Sequence, residues 1–179
     1  MNSMKIVSTL LVLIALFFLL ECSSSLALQQ ESDVAALCKK TKQFDLCMTI
    51  IYPDTRHYGT DPVRFAKIVL DSDSRVAKEI LDALKSLTSD KGKAPVVRQK
   101  CGKCFEEYKA IVYTLLSTAK KALDSGKNGR GAAIQAFKDI ANDAKVCDDQ
   151  FPDGDEPFDN MSVQNISMLA VELVQLIVY

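Results

Sequence analysis

The sequence predicts an all-α protein: an up-down-up-down four-helix bundle preceded by a disulfide-clamped N-terminal helical hairpin. Three observations predict it. Four long segments carry apolar residues at helical spacing, and no segment alternates with period two long enough to make a strand. Short polar turns rich in Gly, Pro and Asp separate those segments, the connection an antiparallel bundle uses. Ahead of them, Cys38 and Cys47 stand nine positions apart in a run, Leu37-Cys38-Lys39-Lys40-Thr41-Lys42-Gln43-Phe44-Asp45-Leu46-Cys47, that reads helix, polar turn, helix.

In chain order, residues 1–27 read as a secretory signal. Lys5 gives a weakly positive start, residues 6–20 are apolar, and small residues follow up to Ala27. The apolar run is short for a membrane span and lacks a basic stop-transfer flank. Ser25 and Ala27 fit small-x-small cleavage, so the cut is expected after Ala27, with Ser25 the near alternative. Glu21 before Cys22 argues against a lipid anchor. The mature chain, 28–179, is one domain's worth of sequence, enough to bury roughly 68–70% of its unfolded surface.

Residues 28–58 are the hairpin, with helices expected over 31–38 and 44–51 and a stop at Tyr52-Pro53-Asp54. A Cys38–Cys47 bridge would clamp two helices too short to stand alone. Closing that loop removes roughly 2.5–3 kcal/mol of unfolded-state entropy. The bundle occupies 60–179. Its first helix opens with Asp61 as N-cap and Pro62 at the first helical position. The inward face reads Phe65, Ile68, Val69, Val76, Ile80, Ala83, Leu84 and Leu87, with Ser72 standing where an apolar residue would fit. After a break at 89–93, the second helix carries Val97, Cys101, Cys104, Tyr108, Ile111, Leu115, Ala119 and Ala122. A three-glycine turn, 124–131, leads to an alanine-rich third helix with Ile134, Phe137, Ile140, Ala144 and Cys147. The acidic link 148–160 precedes the last helix, marked by Val163, Ile166, Leu169, Ala170, Leu173, Leu176 and Ile177.

Most chemistry is argued against by the residues available. His57 is the single histidine and lies in a connector, a poor base for a catalytic triad or a histidine metal site. Cys101-Gly102-Lys103-Cys104 has dithiol spacing but sits inside a helical pattern, without the strand–helix unit that redox chemistry uses. The 149–160 stretch lacks carboxylates at the positions a calcium loop needs. Net charge is −1. It is split, with 19 Lys/Arg against 13 Asp/Glu over 28–130 and 2 against 9 over 131–179. Neither part has the clustered basic surface of a nucleic-acid binder. The polar residues Gln164, Asn165, Glu172 and Gln175 make the last helix amphipathic rather than membrane-spanning. No enzyme, metal or cofactor is therefore expected, and a secreted binding protein is. Asn160-Met161-Ser162 and Asn165-Ile166-Ser167 are glycosylation sequons, with Asn160 expected at an accessible helix start. Removing Cys22 leaves five cysteines, which implies two bridges and a free thiol, or an intermolecular bond.

Leu37-Cys38-Lys39-Lys40-Thr41 with Asp45-Leu46-Cys47, then Cys104-x-x-x-Tyr108, Ala144-Lys145-Val146-Cys147-Asp148-Asp149-x-Phe151 and Asn165-x-x-x-Leu169-Ala170 resemble, in this order, the plant invertase and pectin methylesterase inhibitor family. The resemblance implies bridges Cys38–Cys47 and Cys104–Cys147 and leaves Cys101 as a buried free thiol. It also implies a stoichiometric partner that caps the active-site cleft of a carbohydrate-acting enzyme, in the apoplast or cell wall or alternatively the vacuole.

Within that resemblance, invertase inhibitors insert a turn bearing Pro-Lys-Phe, whereas this chain has Lys127-Asn128-Gly129-Arg130-Gly131 there. The absence favours pectin methylesterase as target, with cell-wall or vacuolar (acid) invertase as the alternative. Asp54-x-Arg56 resembles invertase inhibitors and pulls the other way. Lys127 and Arg130 in this turn, with Asp124 before it, are the candidate target contacts. A secreted helical carrier of a small apolar ligand is a more distant alternative, and five cysteines at this spacing do not match the three interlocked bridges of odorant carriers.

Overall fold

The computed structural model describes residues 33–152 and 157–177. The expected leader and its cleavage site lie outside the described residues. Regular structure among the described residues is helical throughout: α1 (33–38), α2 (Phe44–Ile51), α3 (Pro62–Ser89), α4 (Pro95–Ala110), a π turn (Ile111–Leu115), α5 (Leu116–Asp124), a 3-10 turn (Gly126–Gly129), α6 (Arg130–Asp148) and α7 (Asn160–Gln175). Helices α3, α4 continuing into α5, α6 and α7 form the bundle. α7 packs against both α6 and α3.

Helix α3 starts as its sequence dictates. The Asp61 carboxylate accepts the Val63 N–H at 3.0 Å, and Pro62, with no N–H to leave unpaired, takes the first position. Phe65, Ile68, Val69, Ala77, Ile80 and Leu84 point inward. The polar turn expected at Ser72 is there, but Ser72 is only partly buried. Four-residue steps from Val69 reach position 73 and then Ala77, so Asp73 is the side chain sealed inside.

The second bundle helix is one continuous helical run from Pro95 to Asp124 with the π turn in its middle. Its buried face reads Cys101, Cys104, Tyr108, Ile111, Leu116, Ala119 and Ala122. Ile111 to Leu116 is a five-residue step, too long for α-helical phase. One turn with i→i+5 pairing absorbs the extra residue and returns Leu116 to the core. Leu115, expected on the inward face, is consequently only partly buried.

Two bridges tie the elements. Cys38–Cys47 joins α1 to α2 with Cα atoms 5.6 Å apart, and Cys104–Cys147 joins α4 to α6 with Cα atoms 4.8 Å apart. Cys101 is a buried free thiol. The hairpin is more than an appendage, because Val34, Leu37 and Ile51 belong to the same buried cluster as the bundle core. It is also latched to α7: the Lys42 N–H donates to the Glu172 carboxylate at 2.8 Å and the Gln43 amide donates to the Asn165 carbonyl at 3.1 Å.

The two sequons exchange roles. Asn160 opens α7 but is fully buried, its Oδ1 accepting the Tyr108 hydroxyl at 2.8 Å. Its Nδ2, the atom that would carry a glycan, is buried too. The expectation of an accessible Asn160 fails because the residue faces the α4–α7 junction. Asn165, a turn further on, is exposed.

Candidate functional site

The turn between α5 and α6 is built by close approach. A Cβ placed on Gly129 would stand 1.9 Å from the Ala122 carbonyl oxygen, so only glycine lets the two segments meet. Gly126 supplies the left-handed residue, at φ 56°, that turns the chain out of α5. The result is a compact 3-10 turn, with Lys127 exposed on it.

The three residues expected to contact a target, Asp124, Lys127 and Arg130, lie in or beside this turn. The Asp124 carboxylate receives Lys120 from one turn earlier at 2.8 Å and Lys67 from α3 at 2.7 Å. The hydrogen bond from Lys120, then that from Lys67, hold its carboxyl down to about 2. Arg130 turns inward along the bundle end: Nε donates to the Val174 carbonyl at 3.2 Å and the guanidinium donates to the Gln175 carbonyl at 2.8 Å. Those carbonyls belong to the last turn of α7, where Val174 also accepts the Ile177 N–H at 3.3 Å, so Arg130 adds a side-chain cap to the helix end.

Beside the turn, sequence periodicity missed the most distinctive surface. Tyr113 lies within the π turn and is 70% exposed, the largest exposure of any large hydrophobic side chain among the described residues. Thr114, Ser117, Thr118 and Lys121 are exposed with it, and the face runs on to Lys120 and Asp124. The re-phasing that returns Leu116 to the core leaves Tyr113 outside. The five-residue gap between Ile111 and Leu116 was the available signal. An exposed tyrosine among hydroxyl side chains, with a lysine–carboxylate triad at one end, offers an aromatic anchor and a polar rim, the composition of a protein-binding hot spot.

Around the connector to α3, Arg56 donates to Asp54 at 2.7 Å and to Asp71 at 2.6 Å. The hydrogen bond from Arg56 is the main cause that lowers the Asp54 pKa. This cluster fixes the Asp54-x-Arg56 segment onto α3. His57 has its ring against the Asp54 carbonyl, a local turn contact. Among the described residues no group of His, Cys, Asp and Glu is arranged to hold a metal ion, and no helix is long and apolar enough to cross a membrane. The groove between α1, the start of α3 and the end of α7 mixes Leu37, Leu176 and Ile177 with Lys40 and Asp61. That is a surface cleft of mixed polarity, unlike the enclosed apolar chamber a lipid carrier uses.

Comparison with known proteins agrees with this architecture. Two crystal structures of pectin methylesterase inhibitors share the fold. One, a mutant form from Arabidopsis, superposes with a TM-score of 0.69 at 20% identity, over 82% of this chain and 97% of that one. The other, from Arabidopsis thaliana, superposes with a TM-score of 0.61 at 19% identity, over 83% and 97%. A characterised relative, cell wall / vacuolar inhibitor of fructosidase 1 of Arabidopsis thaliana, is 28% identical over 140 residues. That alignment spans 76% of this chain but only 64% of the relative's length. Residues 32–176 match the family described as plant invertase/pectin methylesterase inhibitor, from the clamped hairpin to the end of α7, and the chain belongs to that family.

Proposed function

We propose that this protein inhibits a carbohydrate-acting enzyme by laying the outer face of α4–α5, with the adjoining turn, over the enzyme's substrate cleft. It is a binding protein and not itself an enzyme. The observation that carries the reading is the exposed face of Tyr113, Thr114, Ser117 and Lys121 on a rigid, doubly bridged bundle. A preformed surface spares a docking partner the ordering cost a flexible loop would incur.

Pectin methylesterase is the favoured target. Both solved neighbours named above are inhibitors of that enzyme, and the α5–α6 turn, held tight by Gly129, has no Pro-Lys-Phe to insert into a sucrose site. The second reading, inhibition of a cell-wall or vacuolar invertase, is favoured by the fructosidase inhibitor among the relatives. The proposal includes a leader over 1–27 removed to leave one inhibitor domain, 28–179, secretion to the cell wall or delivery to the vacuole, and a one-to-one complex. Asn165 is the sequon proposed to carry a glycan. Titrating the purified protein separately against a pectin methylesterase and an acid invertase decides the target. Saturable loss of one activity at an equimolar ratio is expected. Loss of neither would end the inhibitor reading.

A further inference from the structure

Among the described residues, Asp73 is the one acid or base other than tyrosine and cysteine that is fully buried, and the inhibitor reading gives it no task. It sits on α3 at the packing surface with α7. Its Oδ2 lies 2.5 Å from the Ser167 hydroxyl of α7, and its Oδ1 has no hydrogen-bond partner. From α4 the polar group nearest in influence is Tyr108, whose hydroxyl is committed to Asn160. Asp148, ending α6, and Asp159, preceding α7, act on Tyr108. No Lys, Arg or His among the described residues acts on Asp73. The carboxyl is therefore sealed in the core with the Ser167 hydroxyl as its hydrogen-bond partner and no cation to balance a charge.

We propose that Asp73 is a proton-operated latch between α3 and α7, closed when its carboxyl is neutral and loosened when that carboxyl ionises. In the neutral form Oδ2 accepts the Ser167 hydroxyl and no charge is buried. In the ionised form Ser167 still donates to Oδ2, while Oδ1 holds negative charge with nothing to pair it. A buried, unpaired carboxylate is among the costliest groups a core can hold.

The direction with pH follows. Burial raises the Asp73 pKa from 3.8 to about 7, and the Ser167 hydrogen bond opposes the rise because a hydroxyl donates more strongly to an anion than to a neutral acid. A carboxyl whose folded value is raised contributes stability that is complete below its unfolded value. That stability is lost as pH climbs toward the folded value. The α3–α7 contact is thus held most firmly in mild acid, while the lowered carboxyls of Asp54 and Asp124, paired with Arg56 and with Lys120 and Lys67, act the other way at lower pH. Asp143 acts in the same direction as Asp73. It is raised to about 6 by burial, then by Glu107 and Asp139, but lies partly exposed on α6.

Denaturant unfolding followed from about pH 4 to about pH 8 tests the latch. The wild-type folding constant should fall at least roughly tenfold across that window, and Asp73→Asn should remove most of the fall while Asp143→Asn removes less. Ser167→Ala, which deletes the opposing hydrogen bond, should move the midpoint of the fall to higher pH. Infrared spectroscopy of folded wild type gives a second readout, valid even if Asp73→Asn does not fold. A protonated carboxyl band present at about pH 5 should disappear toward about pH 8, later in Ser167→Ala. An Asp73 already ionised in the folded protein at the acid end would overturn the proposal. A wild-type pH profile unchanged in Asp73→Asn would do the same.

Discussion

Gly126, Gly129 and Gly131 stand within six residues of one another and look alike in the sequence, where all three mark one flexible turn. In the folded chain they answer to different physics. Gly126 holds a left-handed backbone in open space, Gly129 has an ordinary backbone but no room, and Gly131 has neither constraint within the first turn of α6. Substitution by alanine should therefore split three ways. Gly129→Ala drives a methyl into the Ala122 carbonyl and should cost about 1–3 kcal/mol, the usual range for overpacking. Gly126→Ala meets no atom but strains the backbone, at about 1–2 kcal/mol. Gly131→Ala should stabilise by about 0.4–1 kcal/mol through lost unfolded-state entropy and better helix propensity. Denaturant midpoints of the three variants give the ordering directly, and a Gly129→Ala protein as stable as wild type would show that the turn can relax. The sequence located the turn but could not separate these reasons, because each depends on what packs opposite. Asp73 was hidden for the same cause. A polar residue on a helix reads as surface until its neighbours show that the position points inward.

At the scale of the helices, the sequence pattern was informative wherever one period ran unbroken. α3 with its Asp61–Pro62 start, α6 with its alanines, and α7 were all legible from spacing, and so was the hairpin from its two cysteines. The α4–α5 run was legible only in outline. A reader stepping by three and four from Ile111 lands on Leu115, whereas the chain inserts a residue and buries Leu116. That slip concealed the outward position of Tyr113, and with it the most informative part of the candidate site. The hairpin carries a prediction at this scale. Its buried Val34, Leu37 and Ile51 and its hydrogen bonds to Glu172 and the Asn165 carbonyl couple it to α7. Replacing Cys38 by Ser should raise amide exchange through 33–51 and also in the outer turns of α7, while α6 stays protected behind Cys104–Cys147. Exchange confined to 33–51 would mean that the hairpin docks without supporting the bundle. The longer bridge closes 43 residues of chain. Removing both Cys104 and Cys147 should cost up to about 4 kcal/mol.

For the molecule as a whole, the question is which surface meets a target and how that can be separated from loss of fold. Each helix spends its apolar stripe on the core, so a docking face must be largely polar with an occasional aromatic anchor. Charge then governs encounter more than buried apolar area does. Tyr113 is the aromatic anchor offered by the α4–α5 face, and Lys121 and Lys127 are cations displayed along it and the neighbouring turn. Arg130 looks similar in the sequence but braces α7, so changing it mixes two effects. Arg130→Ala should lower thermal stability by removing the guanidinium from the Val174 and Gln175 carbonyls at the end of α7, whatever it does to inhibition. Tyr113→Ala should leave the melting temperature within the scatter of surface substitutions, because the ring touches little of its own protein. It should weaken inhibition of the target enzyme at least tenfold, about 1.4 kcal/mol of binding free energy. Tyr113→Phe should retain most of that affinity if the ring packs into the cleft, and lose it if the hydroxyl makes the decisive hydrogen bond. Lys127→Glu should slow association, most visibly at low salt where surface charge is least screened. Should Tyr113→Ala and Lys127→Glu together inhibit as strongly as wild type at every salt concentration, the enzyme must dock on another side of the bundle. The connector cluster of Arg56, Asp54 and Asp71 would then be the next surface to alter.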